Sequence, residues 1–185
     1  MGRFSLRILQ ILISPHLYKK IEECSANRWS NKKKGQFGRG LINNKEDPCK
    51  AERIGLLGEA ALSEFINRKV DYEYKEGGSP FDFRLNNLKL DIKTAARNYG
   101  TGLIRAKSDK GFVIELQSDV YVFACVEEDD RENKKAIVIL KGWLTKEEIE
   151  KCQIVPAKIG KHLNYECPHD KLNPIEDLKK HRKPE

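Results

Sequence analysis

Long apolar runs, internal repeats and complete metal-binding cysteine motifs are lacking in this chain of 185 residues. The early apolar stretch LRILQILI (6–13) is interrupted by Arg7 and Gln10 and is much shorter than the roughly 20 residues that span a bilayer. No small-residue cleavage site follows it. We therefore expect neither a membrane span nor a signal peptide.

Cysteine is present, but not in a pattern that predicts disulfides. The five cysteines are an odd number and are widely spaced, which is typical of free thiols in a reducing compartment. The fragment CPHD, with Cys167 and His169, contains half of a zinc site, but no CxxC or HxxxH motif completes it. A surface turn is the expected interpretation there, and the expected location of the protein is the cytoplasm.

The excess of positive over negative charge lies in the first quarter of the chain. Residues 1–50 contain 11 Lys/Arg and 4 Asp/Glu, whereas residues 51–185 contain 24 of each, and the net charge of the whole is +7. The segment NRWSNKKKGQFGRG (27–40) places its cations beside Trp29, Phe37 and several glycines. Such a segment suits contact with a polyanion, because cations on phosphates release counterions. A solvated loop and an anionic membrane surface remain alternatives.

Hydrophobic periodicity predicts an α/β fold with a mixed sheet. A length of 185 residues is typical of one domain. Residues 1–50 are expected to be a basic N-terminal helix and arm, and residues 51–185 the main globular part. Helices are predicted at 5–24 (divided at Pro15), 52–68 and 145–152, the last with Thr145 and Glu148 as a capping box. Strands are predicted at 70–76, 81–85, 88–94, 119–126 and 136–144. The other segments, 27–50, 127–135 and the tail from about 155, are predicted to be loops or irregular structure.

A predicted hairpin brings three charged residues together. Asn86 and Asn87 tolerate the left-handed backbone of a tight turn, and the strands on both sides alternate between apolar and polar residues. If the apolar faces of the two strands coincide, Asp82, Asp91 and Lys93 all lie on the opposite face. Two neighbouring carboxylates repel each other, and a divalent cation such as Mg²⁺ relieves that repulsion.

A third carboxylate is predicted near the same hairpin. Glu59 lies in the helix at 52–68, beside an apolar stripe that includes Ala60. Gly55 and Gly58 each cost that helix about 1 kcal/mol of propensity relative to alanine, so we expect the helix to pack closely against another element. A partly buried Glu59 needs a partner, and a metal ion is a suitable one.

Three motifs in this order resemble the signature of the PD-(D/E)XK nuclease superfamily. They are GLLGE (55–59), SPFD (79–82) and LDIK (90–93), and the resemblance covers about residues 52–150. It is strongest to small viral or phage members and to archaeal resolvase-like members. The resemblance implies a restriction-endonuclease-like core of the order αβββαβ, and an enzyme that cleaves DNA with Mg²⁺ or Mn²⁺. For a viral member the location would be the host cytoplasm.

The resemblance also implies roles for individual residues. The metal ion would be held by Asp82, Asp91, the backbone carbonyl of Ile92 and Glu59. Lys93 would orient or deprotonate the attacking water, or would pair with the phosphate oxygens. The expected products are a 5′-phosphate and a 3′-hydroxyl.

Two observations limit the resemblance. Phe81 is inserted between Pro80 and Asp82, which the superfamily motif places side by side. The CRISPR-associated members that hold an iron–sulfur cluster need four cysteines, three of them near the C-terminus, and this chain has only Cys152 and Cys167 there. That subgroup is therefore not expected.

The expected function is a metal-dependent deoxyribonuclease with a role in DNA recombination or repair. Single strands, duplex ends and branched junctions remain open as substrates, and no helix-turn-helix indicates sequence-specific cleavage. A homodimer is possible. One alternative is a catalytically inactive DNA-binding protein with the same fold, and another is a surface salt-bridge cluster without catalytic function. The residues expected to contact DNA are Lys32, Lys33, Lys34, Arg39, Arg97, Tyr99 and Lys107.

Overall fold

The computed structural model describes residues 9–34, 47–70, 72, 79–158 and 160–181, and these form a mixed α/β structure. The helices in the described part are α1 (Pro15–Lys34), α2 (Lys50–Ile66) and α3 (Lys146–Glu150), with short 3₁₀ helices at His169–Lys171 and Ile175–Lys179. The strands are β1 (Leu9–Ile13), β2 (Phe83–Leu85), β3 (Leu88–Ala95), β4 (Thr101–Lys107), β5 (Val120–Asp130), β6 (Lys135–Thr145), β7 (Gln153–Pro156) and β8 (Leu163–Pro168). None of the described helices has the length and apolar character needed to cross a membrane.

Two sheets are formed by these strands. The larger has the order β1-β6-β5-β3-β2, with β3 and β5 parallel and the other neighbours antiparallel. The smaller is antiparallel with the order β4-β8-β7. The mixed α/β class predicted from the sequence is therefore confirmed.

The larger sheet has an apolar layer on each face. On one face Leu90 and Val122 belong to a core that α1 and α2 complete. On the other face Phe123 belongs to a second core, together with Ile104 of β4 and Cys167 of β8. Residues alternate between the two faces of a strand, so β5 is buried on both. The prediction that DVYVFACV is a strand buried on both faces is confirmed.

The hairpin of β2 and β3 is also confirmed. Asn86 and Asn87 both have positive φ angles, of 49° and 64°, as a two-residue turn of type I′ requires. The register pairs Phe83 with Leu90 and Leu85 with Leu88, and these four side chains are buried. The apolar faces of the two strands therefore coincide, as the sequence predicts.

Gly58 lets α2 pack closely on β3. A Cβ atom at this position would lie 1.7 Å from Thr94 Oγ1 and 2.8 Å from Thr94 Cβ. The Thr94 hydroxyl oxygen is buried by this contact and has no hydrogen-bond partner among the described residues. Gly55, in contrast, has open space around it. The predicted close packing therefore holds for Gly58 and not for Gly55.

The two glycines should respond in opposite directions to alanine. Gly58→Ala is expected to lower the free energy of unfolding by about 1–3 kcal/mol, because rotating the Thr94 side chain cannot move its Cβ atom away. Gly55→Ala is expected to raise it by up to about 1 kcal/mol through helix propensity. Urea unfolding of both variants measures this, and a Gly58→Ala variant as stable as Gly55→Ala would rule out the close contact.

The N-terminal prediction is wrong in two places. Residues 9–13 form a strand rather than part of a helix, and α1 begins at Pro15 and continues through Lys34, into the predicted loop or arm. The four-residue spacing of Leu9 and Ile13 fits a strand as well as a helix. Residues 9, 11 and 13 lie on one face of β1, whereas Gln10 and Leu12 lie on the other face and are exposed. Ser14 caps the helix and Pro15 takes its first position, where no backbone N–H is needed. Residues 5–8 and 35–46 lie outside the described part.

The crossover from β3 to β5 differs from the order αβββαβ. Residues 96–119 contain β4 and no helix, so the crossover helix that the resemblance implies does not occur between these strands. The predicted loop at 127–135 is shorter, because β5 and β6 extend until only four residues join them. The tail is not irregular throughout, since it supplies β8 and the end of β7. Most of the strand predicted at 70–76 lies outside the described residues.

The remaining predicted elements are confirmed. The helix at 52–68 corresponds to α2, and the strand at 136–144 to β6. The short helix α3 has the predicted capping box, in which Thr145 Oγ1 accepts from the Glu148 N–H and Glu148 Oε2 accepts from the Thr145 N–H. All five cysteines are free thiols. The residues before position 51 are joined to the rest, because β1 pairs with β6 and α1 packs on α2.

A buried network of charged and polar side chains joins α1 and α2 to β5. The Arg53 side chain of α2 is only 3% exposed, and its guanidinium contacts Asp47 at 2.7 Å and Asp129 at 2.9 Å. The hydroxyl of Tyr18, from α1, donates to the same Asp129 carboxylate. Burial and the neighbouring Asp129 charge both raise the pKa of Tyr18, so this phenol stays protonated. The Arg53 charge therefore compensates two carboxylates that are mostly shielded from water.

Candidate active site

The side chains of Asp82 and Asp91 meet beside the hairpin. β2 pairs with β3 from Leu85 back to Phe83, and beyond this ladder the Asp82 N–H donates to the carbonyl of Leu90, the residue before Asp91. The Asp82 carboxyl is close enough to hydrogen-bond the Asp91 carboxylate when one of the two is protonated. The structure therefore brings the two predicted acids together.

The site lies at an edge of β3 that β2 does not cover. The ladder between β2 and β3 ends at Leu90, and beyond it the Ile92 N–H donates to Asp82 Oδ2 at 2.8 Å instead of to a strand. The N–H and the C=O of one strand residue point to the same side. The Ile92 carbonyl therefore faces the same edge as the Asp82 carboxylate.

Lys93 lies on the same face as Asp91. Its ammonium contacts Asp91 Oδ2 at 2.5 Å and is partly exposed to solvent. In the parallel ladder with β5, Asp91 is paired with Tyr121 and Lys93 with Phe123. The Lys93 ammonium lies 6.0 Å from the centroid of the Tyr121 ring, so Tyr121 forms one wall of the site.

Glu59 reaches the site from the helix layer. It follows Gly58, whose contact with Thr94 holds α2 against the same stretch of β3. Its carboxylate contacts Arg28 of α1 at 3.3 Å. The charge of Glu59 acts on Asp82, and that of Asp91 acts on Glu59. All three predicted acids are therefore within electrostatic range of one another around the β3 edge.

The electrostatics of the site favour a protonated Asp82. Burial, followed by the charges of Asp91 and Glu59, raises the pKa of Asp82 to about 8, although the Ile92 N–H opposes the shift. Burial also raises the pKa of Glu59, and the nearby Arg28 opposes it. A cation placed among these carboxylates would reverse the direction of both shifts.

This pKa predicts a pH-dependent stability for the metal-free protein. The folded pKa of Asp82 is raised above its ordinary value of 3.8, so the stability that its protonated form contributes is complete below about pH 3.8 and is lost as the pH rises through about 8. Asp82→Asn cannot ionise. With a chelator present, the free energy of unfolding of the wild type should fall relative to that of Asp82→Asn as the pH rises through this window. The expected decrease is up to about 1.4 kcal/mol per pH unit. Urea unfolding from pH 4 to pH 9 tests this, and a constant difference between the two proteins would contradict it.

The donor set fits a divalent metal, although the described side chains are not arranged around one. In the part of the chain that the structure describes, no three His, Cys, Asp or Glu residues are placed so that they could hold a metal ion. The electrostatic contacts nevertheless group Glu59, Asp82 and Asp91, and two of these acids already pair with Arg28 and Lys93. Carboxylate and carbonyl oxygens are the ligands that Mg²⁺ prefers. A metal ion bound there would displace these two cations from the carboxylates.

The residues predicted to contact DNA are spread over several elements. Lys32, Lys33 and Lys34 form the last turn of α1, of which only the backbone is described, and Arg39 lies outside the described residues. Arg97 and Tyr99 are exposed in the loop between β3 and β4, and Lys107 ends β4. The loop residues begin two positions after β3 ends and follow Lys93 by four and six positions.

Two residues of the site are absent from the sequence-based prediction. Tyr121 was interpreted only as part of a buried strand, and the pairing of β5 with β3 that places it beside Asp91 is a tertiary contact. The sequence predicts a loop at Arg28, whereas the residue lies on α1. Helical periodicity from Pro15 onward is a signal for that helix, but it does not indicate the contact with Glu59.

The CPHD fragment joins the end of β8 to a 3₁₀ helix. Cys167 is fully buried in β8, and its thiol contacts that of Cys152. His169 begins a 3₁₀ helix, and burial lowers its pKa. Cys167 is therefore a buried strand residue, and the expected turn begins only after it, in the 3₁₀ helix where Asp170 is exposed.

Comparison with protein-family models, with curated proteins and with solved structures finds no match to this chain. Its function has to be inferred from the geometry of the site itself.

Proposed function

We propose that this chain is a metal-dependent deoxyribonuclease that hydrolyses DNA phosphodiester bonds. The observation that carries the proposal is the grouping of Asp82, Asp91 and Glu59 beside the part of β3 with which β2 does not pair, with Lys93 in contact with Asp91. These three acids repel one another when all are ionised, and a cation bound among them would remove that cost. A lysine at the same place adds a group that can act on a phosphate or on a water molecule.

Asp82, Asp91, Glu59 and the Ile92 carbonyl would hold the metal ion. Mg²⁺ or Mn²⁺, when bound there, would offset the negative charge of the scissile phosphate and lower the pKa of a water molecule. Asp82 is fixed by the Ile92 N–H, so its second oxygen is free of that bond and can turn toward the site. Asp91 is fixed by its position in the centre of an eight-residue strand.

Lys93 is the proposed catalytic cation. Its ammonium is held on the Asp91 carboxylate and is still partly exposed, so it can exchange that contact for a phosphate oxygen or for the attacking water. Tyr121 and Phe123 lie beneath it and exclude water from the protein side of the site. Arg28 is a second cation that could exchange its contact with Glu59 for DNA.

The proposed membership of the PD-(D/E)XK superfamily is supported by part of the topology. α2 is followed by the acidic hairpin, and β5 lies parallel to the strand that carries Asp91 and Lys93. A strand replaces the helix of the crossover, and Phe81 separates Pro80 from Asp82. The site motifs are therefore the main support for a restriction-endonuclease-like core.

A catalytically inactive DNA-binding protein is the second candidate. It is favoured by the contacts of Lys93 with Asp91 and of Arg28 with Glu59, which compensate two of the acids without a metal. In this case the cluster would be structural, and the cations would serve only to bind DNA.

Cleavage assays separate the two candidates. Single-stranded, duplex and Holliday-junction DNA would be incubated with Mg²⁺, with Mn²⁺ and with EDTA. We expect cleavage with at least one metal and none in EDTA. Binding without cleavage of any substrate would support the inactive alternative. Cleavage of supercoiled plasmid also reports the number of active sites that act together. A monomer nicks one strand, whereas a homodimer can cut both strands.

A further inference from the structure

Most of the exposed apolar side chains in the described structure lie in one short segment. Of the six large hydrophobic residues that are exposed there, four lie between positions 99 and 113: Tyr99 (65% exposed), Leu103 (50%), Phe112 (70%) and Val113 (72%). The other two, Leu12 and Ile154, lie on β1 and β7. Single exposed apolar residues are common on protein surfaces, but a group of them indicates a binding surface.

This segment is β4 and the hairpin that extends from it. Ile114 N–H donates to the Ala106 carbonyl and Val113 bridges to Lys107, so the chain turns back beside the end of β4. The turn is fixed by bonds from Phe112 N–H to Ser108 Oγ and from Gly111 N–H to the Ser108 carbonyl. Phe112 is therefore presented on an ordered turn.

Cations are interspersed among the apolar side chains. Residues 96–117 contain four Lys/Arg and two Asp/Glu. Arg105 lies on the exposed side of β4, alternating with the buried Ile104 and Ala106, and Lys110 is exposed in the turn. Asp109 is the acid at the turn, and it accepts from the Lys161 N–H and contacts His162. We call Tyr99, Leu103, Arg105, Lys110, Phe112 and Val113 the β4 surface.

β4 adjoins the proposed active site. Gly102 of β4 packs directly on the Phe123 ring, since a Cβ at Gly102 would lie 2.1 Å from it. Phe123 is the partner of Lys93 in the parallel ladder. Gly102 shares the inner side of β4 with the buried Ile104 and Ala106, whereas Leu103 and Arg105 lie on its outer side. Tyr99 lies in the loop that joins β3 to β4, so a strand bound on the outer side would pass Tyr99 to reach the site.

We propose that the β4 surface binds single-stranded DNA and delivers it to the site, an inference that rests on the proposed nuclease function. Unpaired bases stack on exposed aromatic rings, and cations between the rings neutralise the phosphates. In a duplex the base faces are stacked on each other, so Tyr99 and Phe112 would have nothing to stack on. A second copy of the chain is less suited as the occupant, because the net positive charge of the segment would be repeated on its partner.

The test is binding measured in EDTA, where no cleavage occurs. Fluorescence anisotropy with an oligonucleotide of about 20 nucleotides, and with the matching duplex, gives both dissociation constants. We expect Tyr99→Ala and Phe112→Ala each to weaken binding of the single strand about tenfold and to change duplex binding little. Lys110→Ala should reduce the slope of log K against log salt by about 0.7.

The controls are exposed residues outside this surface. Leu12→Ser removes a similarly exposed apolar side chain from β1, and Lys151→Ala removes an exposed lysine at the end of α3. Both should bind like the wild type. The proposal is overturned if the aromatic variants bind single strands normally, if the duplex binds as tightly as the single strand, or if Phe112→Ala instead dissociates a dimer in light scattering.

Failure of this inference and failure of the nuclease function give different results. If no substrate is cleaved but the aromatic variants lose affinity for single strands, the β4 surface stands and the enzyme proposal fails. If DNA is cleaved and the aromatic variants bind and cleave it normally, the enzyme proposal stands and the β4 surface fails.

Discussion

Asp91→Asn and Lys93→Ala are each expected to slow DNA cleavage by about 100- to 10,000-fold while changing DNA affinity little. Asp91 is both a proposed metal ligand and the partner that holds the Lys93 ammonium. Lys93 is the proposed group that acts on the water or the phosphate. Neither is needed for the apolar core, because both lie on the partly exposed face of β3.

Single-turnover cleavage together with binding measured in EDTA checks this prediction. Asp170→Asn and Lys151→Ala are matched controls, since each removes the same kind of charge from an exposed position outside the cluster. Both controls should cleave like the wild type. Wild-type cleavage by either site variant would show that the chemistry occurs elsewhere. Isothermal titration calorimetry with Mn²⁺ measures metal binding independently of cleavage. Asp91→Asn should weaken Mn²⁺ binding.

Arg53→Met is expected to lower the free energy of unfolding by about 3–5 kcal/mol. The methionine fills similar space but leaves Asp47 and Asp129 without the guanidinium that contacts both. Each carboxylate is largely buried, so the uncompensated charge is costly. For a chain of this size the melting temperature should fall by about 6–20 °C, measured by thermal unfolding.

Arg131→Met is the control for the Arg53 variant. Arg131 contacts the same Asp47 at 3.6 Å, but its side chain is 54% exposed, and exposed pairs contribute at most about 1 kcal/mol. Adding Asp47→Asn and Asp129→Asn to Arg53→Met removes the uncompensated charges and should restore part of the lost stability. A single Arg53→Met variant as stable as Arg131→Met would show that the network is not needed.

The hairpin and its charged face could be predicted because their causes are local. The alternation of Phe83, Leu85, Leu88 and Leu90 determines which side is buried, and Asn86 and Asn87 determine the turn. The capping box of α3 is local in the same sense. Residues a few positions apart were sufficient for these predictions.

The errors concern elements whose partners are distant in sequence. β1 was predicted as helix because its four apolar residues fit both periodicities, and only the pairing with β6 decides between them. The crossover strand β4 pairs with β8 about sixty residues later, which no local pattern indicates. For the same reason, the sequence does not predict Arg28 and Tyr121 as residues of the site. Arg28 contacts Glu59, and Tyr121 pairs with Asp91, only through tertiary packing.

The position of β1 also has a consequence for folding kinetics. Ile13 pairs with Ala136 and Leu9 with Leu140, so the first described strand cannot find its neighbour until most of the chain has left the ribosome. Closing so long a loop costs entropy before the contacts repay it, and contacts of this kind slow folding. The larger sheet should therefore be completed late and as a unit, with β6 exposing an unpaired edge until β1 docks.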